Sequence, residues 1–264
     1  MRLLPPHALL SLCSAALLCA AGVRAEEEYE PIARVPARAR ALLHDPSHHG
    51  VGVLSTIYPD NHTDEALRGA VCSGAEYFAP CGPEGDLVFI ALTISQNWRN
   101  VLYSASHNAT FSITPDTSFS SPDARHTAPG SHDWSPARPA WRRGMPSKPR
   151  MTLYGDVHEL PRGSPEAHEA ARCFLHLHPD ARHWADGSRD SPHEARWVRL
   201  RAQKVYRVGG FGDESRIGWI DIDAYRKADP RDAGLGPGIE EPAHHAPAAL
   251  FAENMPAPAP LIFQ

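Results

Sequence analysis

Residues 50–58, "GVGVLSTIY", are mostly apolar and β-branched and predict a buried strand. Runs of the same kind predict strands over 70–79, over 86–93 ("DLVFIALT") and over 109–113. Residues 150–160 add another, with Gly155 inside it as a bulge signal. A long strand follows at 195–208, where Val198, Leu200 and Ala202 alternate with Arg199, Arg201 and Gln203. Ile217, Trp219, Ile220 and Ile222 make a last short β-like run. Helical periodicity is confined to three places. Residues 32–43 mix alanine, arginine and apolar side chains. Ser95 caps a helix running to about Ser106, anchored by Trp98, Val101 and Leu102. Ser164 caps the strongest helix, with Pro165 in its first position. Its Ala167, Ala170, Ala171, Phe174, Leu175 and His178 fall on one stripe, and Pro179 ends it. Strands dominate and no regular βαβ alternation appears, so an antiparallel barrel with helices at its ends is expected.

Between the last two strands lies "VGGFG", three glycines around Phe211. A dinucleotide or P-loop site needs a helix opening directly after the glycines, to present free N–H groups to phosphate. Here Asp-Glu-Ser-Arg and another β-like run follow instead, and no Lys-Ser/Thr pair is present. The glycines therefore predict a turn.

The first 25 residues do not belong to this pattern. Arg2, an apolar run over 8–21 and Val23-Arg24-Ala25 make a secretory signal, too short for a membrane anchor. Without Arg2 and Arg24 the balance is 24 basic against 31 acidic residues, a net of −7, which argues against nucleic acid or anionic membrane as the main partner. No later stretch is long and apolar enough to span a membrane. Secretion gives meaning to two sequons, Asn61-His62-Thr63 and Asn108-Ala109-Thr110, as glycosylation sites. It also frames the cysteines left after Cys13 and Cys19 depart with the signal. Cys72 and Cys81 are close enough in sequence to bridge or to stay reduced, and Cys173 reads as a buried thiol in a helix. No Cys/His spacing for zinc occurs. His176 and His178, two apart on a helix, point away from each other, and the histidines read as solvated or capping groups. Residues 114–149 are rich in Pro, Ser, Arg and His without periodicity and predict an inserted, disordered surface loop. The Pro/Ala-rich tail, 229–264, is read the same way.

Several stretches taken in order resemble the CREG family of secreted glycoproteins. "GVGVLSTI" resembles its first barrel strand, "SQNWRNVLYSASHNATFSI" its strand-helix-strand passage, "HPDARHW" its helix exit, and "VGGFG" before "IGWIDIDAY" its last hairpin. The resemblance covers roughly residues 40–227. It implies a β-rich α+β fold, a split β-barrel of the FMN-binding type with short flanking helices, over a domain at 26–228. It also implies a homodimer, in a family of secreted or lysosomal members whose animal representatives have lost flavin binding. Localisation is accordingly expected outside the cell or in the vacuolar-lysosomal lumen.

Two functions follow from the resemblance. One is a flavin-free barrel that works by binding a protein or receptor partner. The other is an FMN-dependent oxidoreductase, in which Arg99 grips the flavin phosphate bidentately, Asn100 and Ser95 add hydrogen bonds, and Ser55 and Thr56 reach the ring or ribityl chain. Lysine is scarce beside the strands, only Lys148 and Lys204, so a second phosphate-binding base is missing. That, with the sequons, favours the first reading. No metal site and no nucleophile elbow of the Gly-x-Ser-x-Gly kind is present.

Overall fold

The computed structural model describes residues 29–114, 146, 148–185, 191, 193–212 and 215–234. The expected signal segment, most of the insertion and all but the first residues of the tail lie outside them. Seven antiparallel strands form one sheet: β1 (Val51–Ile57), β2 (Val71–Tyr77), β3 (Leu87–Leu92), β4 (Asn108–Ile113), β5 (Arg150–Glu159), β6 (Ala195–Val208) and β7 (Ile217–Ile220). Their order is β2-β1-β4-β5-β6-β3, with β7 pairing the far half of β6. The sheet curls so that its two ends approach, but β2 and β3 meet only through a single bridge, Ala79 to Val88, just past the end of β2. This is the split of the barrel.

Alternation sends Leu54, Phe111, Leu153 and Leu200 inward, where they join Phe78, Phe89 and Trp98, all essentially unexposed. The rings meet edge to face, Phe111 lying 5.1 Å from Phe78 and 5.0 Å from Phe89, and Phe89 lying 5.4 Å from Trp98. Gly155 sits where the β5–β6 register shifts, and a Cβ there would strike the Arg201 carbonyl, so the bulge predicted from sequence is present. The glycines at 209–212 turn β6 into β7, as expected: Gly209 N–H donates to the Arg216 carbonyl at 3.0 Å, and Gly210 has a φ of 146° that a side chain rarely adopts.

Four α-helices among the described residues complete the fold. α1 (Val35–Leu42) closes one end of the barrel. α2 (Gln96–Leu102) lies against β1 and β2 and sends Trp98 and Val101 into the core, but it ends four residues short of the expected Ser106. Ser95 occupies its N-cap position without a side-chain capping bond. α3 (Pro165–Leu177) begins as predicted, with Ser164 accepting from the Ala167 N–H. It covers the outer side of β3 and of the start of β6, where Val88, Ile90, Trp197, Ala167, Ala170 and Phe174 form a second core. The last β-like run is shorter than its sequence suggests. Asp221 accepts the Ala224 N–H and turns Ile222 into the first residue of α4 (Ile222–Lys227), a helix the apolar pattern concealed. The described structure also passes the expected boundary at 228: a turn at Pro230–Ala233 lies on α1, where Arg38 Nε donates to the Ala233 carbonyl at 3.1 Å.

The cysteine pairing is a correction. Cys81 is bonded to Cys173, across 92 residues with Cα atoms 6.1 Å apart, and Cys72 is a free thiol. Cys72 lies within β2, five residues before its end. At about 3.3 Å per residue β2 carries the chain ~16 Å away from Cys72 by Tyr77, well beyond the ~7 Å limit for a bridge, and the chain leaving it does not double back toward Cys72. Cys81 instead turns onto α3, and the thiol expected to stay buried and unpaired becomes its partner.

Candidate interface on the open barrel wall

Ser55 and Thr56, adjacent in sequence, face opposite sides of β1. Thr56 points inward, buried, and joins α2. The Asn97 amide, oriented to suit its neighbours, donates to Thr56 Oγ1 at 2.8 Å and the Cys72 carbonyl at 2.9 Å, and accepts the Gly74 N–H at 3.2 Å. Asn100 donates to Thr56 Oγ1 at 3.2 Å and accepts from Gln96 at 2.7 Å. Asn97 thereby ties α2 to β1 and β2 on the inner face of the sheet, and the polar groups of this corner are occupied with one another. Ser55 points outward and is hydrogen-bonded to Ser73 at 2.9 Å. Arg99 is exposed on the far face of α2, without a hydrogen bond or ion pair to any described residue. Of the residues expected around a flavin, then, Thr56 and Asn100 come together, while Ser55 lies through the sheet from them and Arg99 faces away.

The outward residues of β1, β2 and β4 assemble a different feature. The register sets Val51 beside Tyr77, Val53 beside Ala75, Ser55 beside Ser73 and Ile57 beside Val71. Ser55 then neighbours Thr110, and Val53 neighbours Ser112. The rows continue through Tyr154 and Thr152 of β5 to Lys204 and Tyr206 of β6 and Trp219 of β7. No outward residue of β1, β2 or β4 is charged. Their hydroxyls are paired in the plane of the wall, Ser55 with Ser73 and Ser112 with Thr152 at 3.1 Å, which lowers the cost of covering them. At the β7 end Trp219, 62% exposed, has the Tyr206 and Tyr154 rings 5.2 and 5.5 Å away and the Lys204 ammonium 5.9 Å over its face. At the other end Ile57 and Val71 are 54% and 65% exposed. A contiguous, nearly uncharged face with exposed aromatic and branched side chains is the signature of a surface that another molecule covers.

Three buried polar clusters lie elsewhere, none of them legible from the sequence. Glu30, 2% exposed, pairs with Arg38 and Arg207, each at 2.9 Å, and accepts the Arg216 N–H at 2.8 Å. Burial would raise its carboxyl, but the hydrogen bonds and charge of Arg207, with Arg216 and Arg38, outweigh it and hold the pKa low. Glu76, on the inward side of β2, faces the indole of Trp98, and burial pushes its carboxyl up to about 7. His48 is fixed as a neutral ring: its Nε2–H donates to the Leu42 carbonyl and its Nδ1 accepts the Gly50 N–H, both at 3.0 Å. Burial lowers its pKa and that of His44. His178 is not solvated either. It is buried against Tyr77 and Phe174, and its Nε2–H donates to the Phe78 carbonyl at 2.9 Å. Among the described residues no group of three His, Cys, Asp or Glu side chains is placed to hold a metal, and no helix is long and apolar enough to cross a membrane.

The chain is similar to solved structures of split-barrel type. With a heme binding protein from Mycobacterium smegmatis it shares 20% identity at a TM-score of 0.51, over 76% of this chain and 62% of that one. A protein of unknown function from Agrobacterium tumefaciens is 20% identical at 0.45, over 70% and 60%. Campylobacter jejuni ChuZ is 11% identical at 0.45, over 75% and 67%. The chain spans about three fifths of the length of the first two, and likeness at such identities speaks for the fold alone. None of the curated proteins matches the chain by sequence. Residues 30–227 match the family described as "CREG, beta-barrel".

Proposed function

The chain belongs to the CREG β-barrel family, and on that premise we propose that it is a secreted glycoprotein whose split barrel works by binding another protein, in the first place a second copy of itself, without flavin. The observation that carries this reading is the open wall: an uncharged face across three strands, continued by aromatic side chains on the next three, that no described element of its own chain covers. A closed dimer across it would hide Trp219, Tyr154 and the Ser/Thr rows at once. The expected mature start near Ala25 lies five residues before Glu30, whose carboxylate holds Arg38 and Arg207.

The family's fold also carries flavin in other proteins, and the M. smegmatis neighbour is a heme binding protein. The residues of this chain do not fit an FMN phosphate site in the way the sequence suggests. Thr56 and Asn100 are consumed by Asn97 and Gln96, Ser55 by Ser73, and the Arg99 guanidinium points away from all of them. No flavin chemistry is therefore derived.

The test is assembly state. Light scattering on the mature protein at micromolar concentration should give a dimer, and Ser112→Arg, in the middle of the wall, a monomer that melts at nearly the same temperature. A wild-type protein that is monomeric throughout would refute the self-association. FMN should leave the melting temperature unchanged, since a ligand stabilises only by selective binding to the folded state. A rise on adding FMN that Arg99→Ala abolishes would instead establish the oxidoreductase reading.

A further inference from the structure

The two sequons lie far apart in sequence but at the same end of the open wall. Asn61 sits in the β1–β2 connection, four residues past Ile57. It is exposed in a tight turn closed by His62 N–H to the Pro59 carbonyl at 3.0 Å, and Arg68 Nε holds the His62 carbonyl at 2.8 Å. Asn108 opens β4 with its side chain outward, on the same face as Thr110 and Ser112, and exposed. The β1–β4 register runs Val53–Ser112 to Ser55–Thr110, so the next outward step toward Asn108 is the step toward Ile57. Ile57 in turn pairs with Val71. The most exposed aliphatic pair of the wall is thus flanked by both glycosylation sequons of the chain. The Asn108 amide can donate to the Ser106 carbonyl and to Asp156, and a glycosylated amide keeps one N–H for such a bond.

We infer that the wall is divided: N-glycans on Asn61 and Asn108 shield the Ile57–Val71 end, and a second copy of the chain binds only at the end that carries Trp219 and Tyr206. This rests on the reading of the chain as a secreted wall-binding protein and assigns each end of the wall its occupant. A glycan is bulky and strongly hydrated. Over Ile57 and Val71 it removes from water an apolar patch next to β2, the strand at the split and therefore a place where unwanted pairing would start. At the Trp219 end no sequon is present, and the aromatic group stays free for a partner.

The experiment uses full-length protein from a glycosylating host, as wild type and as the Asn61→Gln, Asn108→Gln and doubly substituted forms. Mass spectrometry should find both sequons occupied. Light scattering should give the wild type as a dimer and the double variant as species above the dimer that grow with concentration, with increased fluorescence of an apolar dye. Adding Ile57→Thr and Val71→Thr to the double variant should return it to the wild-type mass and dye signal. If both sequons are occupied but the double variant matches the wild type in mass and dye binding, the shield is refuted. Empty sequons in a chain that has lost residues 1–25 would refute it too, while leaving secretion standing. A chain that keeps residues 1–25 would overturn both. A monomeric wild type whose double variant still self-associates would support the shield and refute only the dimer.

Discussion

The barrel has two kinds of wall. Over β3 and the start of β6, α3 lays Ala167, Ala170 and Phe174 onto Val88, Ile90 and Trp197, and the Cys81–Cys173 bond ties that helix to the chain leaving β2. The solvent side of α3 then carries Glu166, Glu169 and Arg172, an ordinary charged surface. Over β1, β2 and β4 no described element makes such a cover, and the outward residues are Val, Ile, Ala, Ser, Thr, Asn and Tyr rather than charges; β5 and β7 continue the face with Thr152, Tyr154 and Trp219, between Arg150 and Asp156 at its margins. The contrast separates stability from function. One wall finishes its packing within the chain, and the other has the composition of a wall whose packing is finished by another molecule.

The largest effects should come from the covered wall. Phe174→Ala removes a fully buried ring and should cost about 3–5 kcal/mol, read by chemical denaturation. Cys173→Ala opens a loop of 92 residues and should cost about 2–5 kcal/mol in the same assay, and a reductant should then have no further effect. A loss under 1 kcal/mol in either variant would show that α3 is not an integral part of the core.

A smaller effect, on the order of 1–3 kcal/mol, should appear in pH dependence at the other side of the barrel. Glu76 holds its proton up to about 7 when folded against 4.5 ordinarily, so its share of stability is complete in acid and drains as pH rises from about 4.5 through 7. His48 and His44 run the opposite way. Their folded pKa values lie below 6.5, so their contribution is whole above that value and is lost as pH falls through it. Glu76→Gln should remove the loss on the alkaline side and leave an acid limb. Denaturation curves at a series of pH values check this, and an unchanged profile in Glu76→Gln would mean the carboxyl ionises normally.

The smallest effect on stability should come from the open wall. Trp219→Arg should move the unfolding free energy of the monomer by less than about 0.5 kcal/mol, because the ring is largely in water. Its effect should fall on assembly, where it separates the two walls most sharply.

Much of this contrast was written in the sequence one strand at a time. Apolar and β-branched runs located every strand, Ser164 and Pro165 located α3, and the glycines at 209–212 located the last turn. The local code ends where neighbours are chosen. Nothing around Cys72 or Cys81 says which way β2 carries them apart, so proximity in sequence suggested the wrong pair. Glu30 meets Arg207 across 177 residues, and only the closed barrel joins them. The flavin reading groups Ser55, Thr56 and Arg99 by residue type, as suited to a phosphate and ring, whereas the period of two along β1 puts Ser55 and Thr56 on opposite faces. The same period, applied to β1, β2 and β4 together, writes the uncharged wall into the sequence, but the rows become visible only once the strand order is known.

The claim that the open wall is covered in the working protein is tested most directly by oxidative footprinting, read residue by residue in mass spectra at high and low protein concentration. Tyr103, 65% exposed beside α2 and off the wall, serves as the internal control. Trp219 and Tyr154 should oxidise several-fold more slowly in the concentrated sample while Tyr103 reacts equally in both. Equal oxidation of Trp219 at both concentrations, in a sample that light scattering shows to be dimeric when concentrated, would place the interface elsewhere and contradict the account.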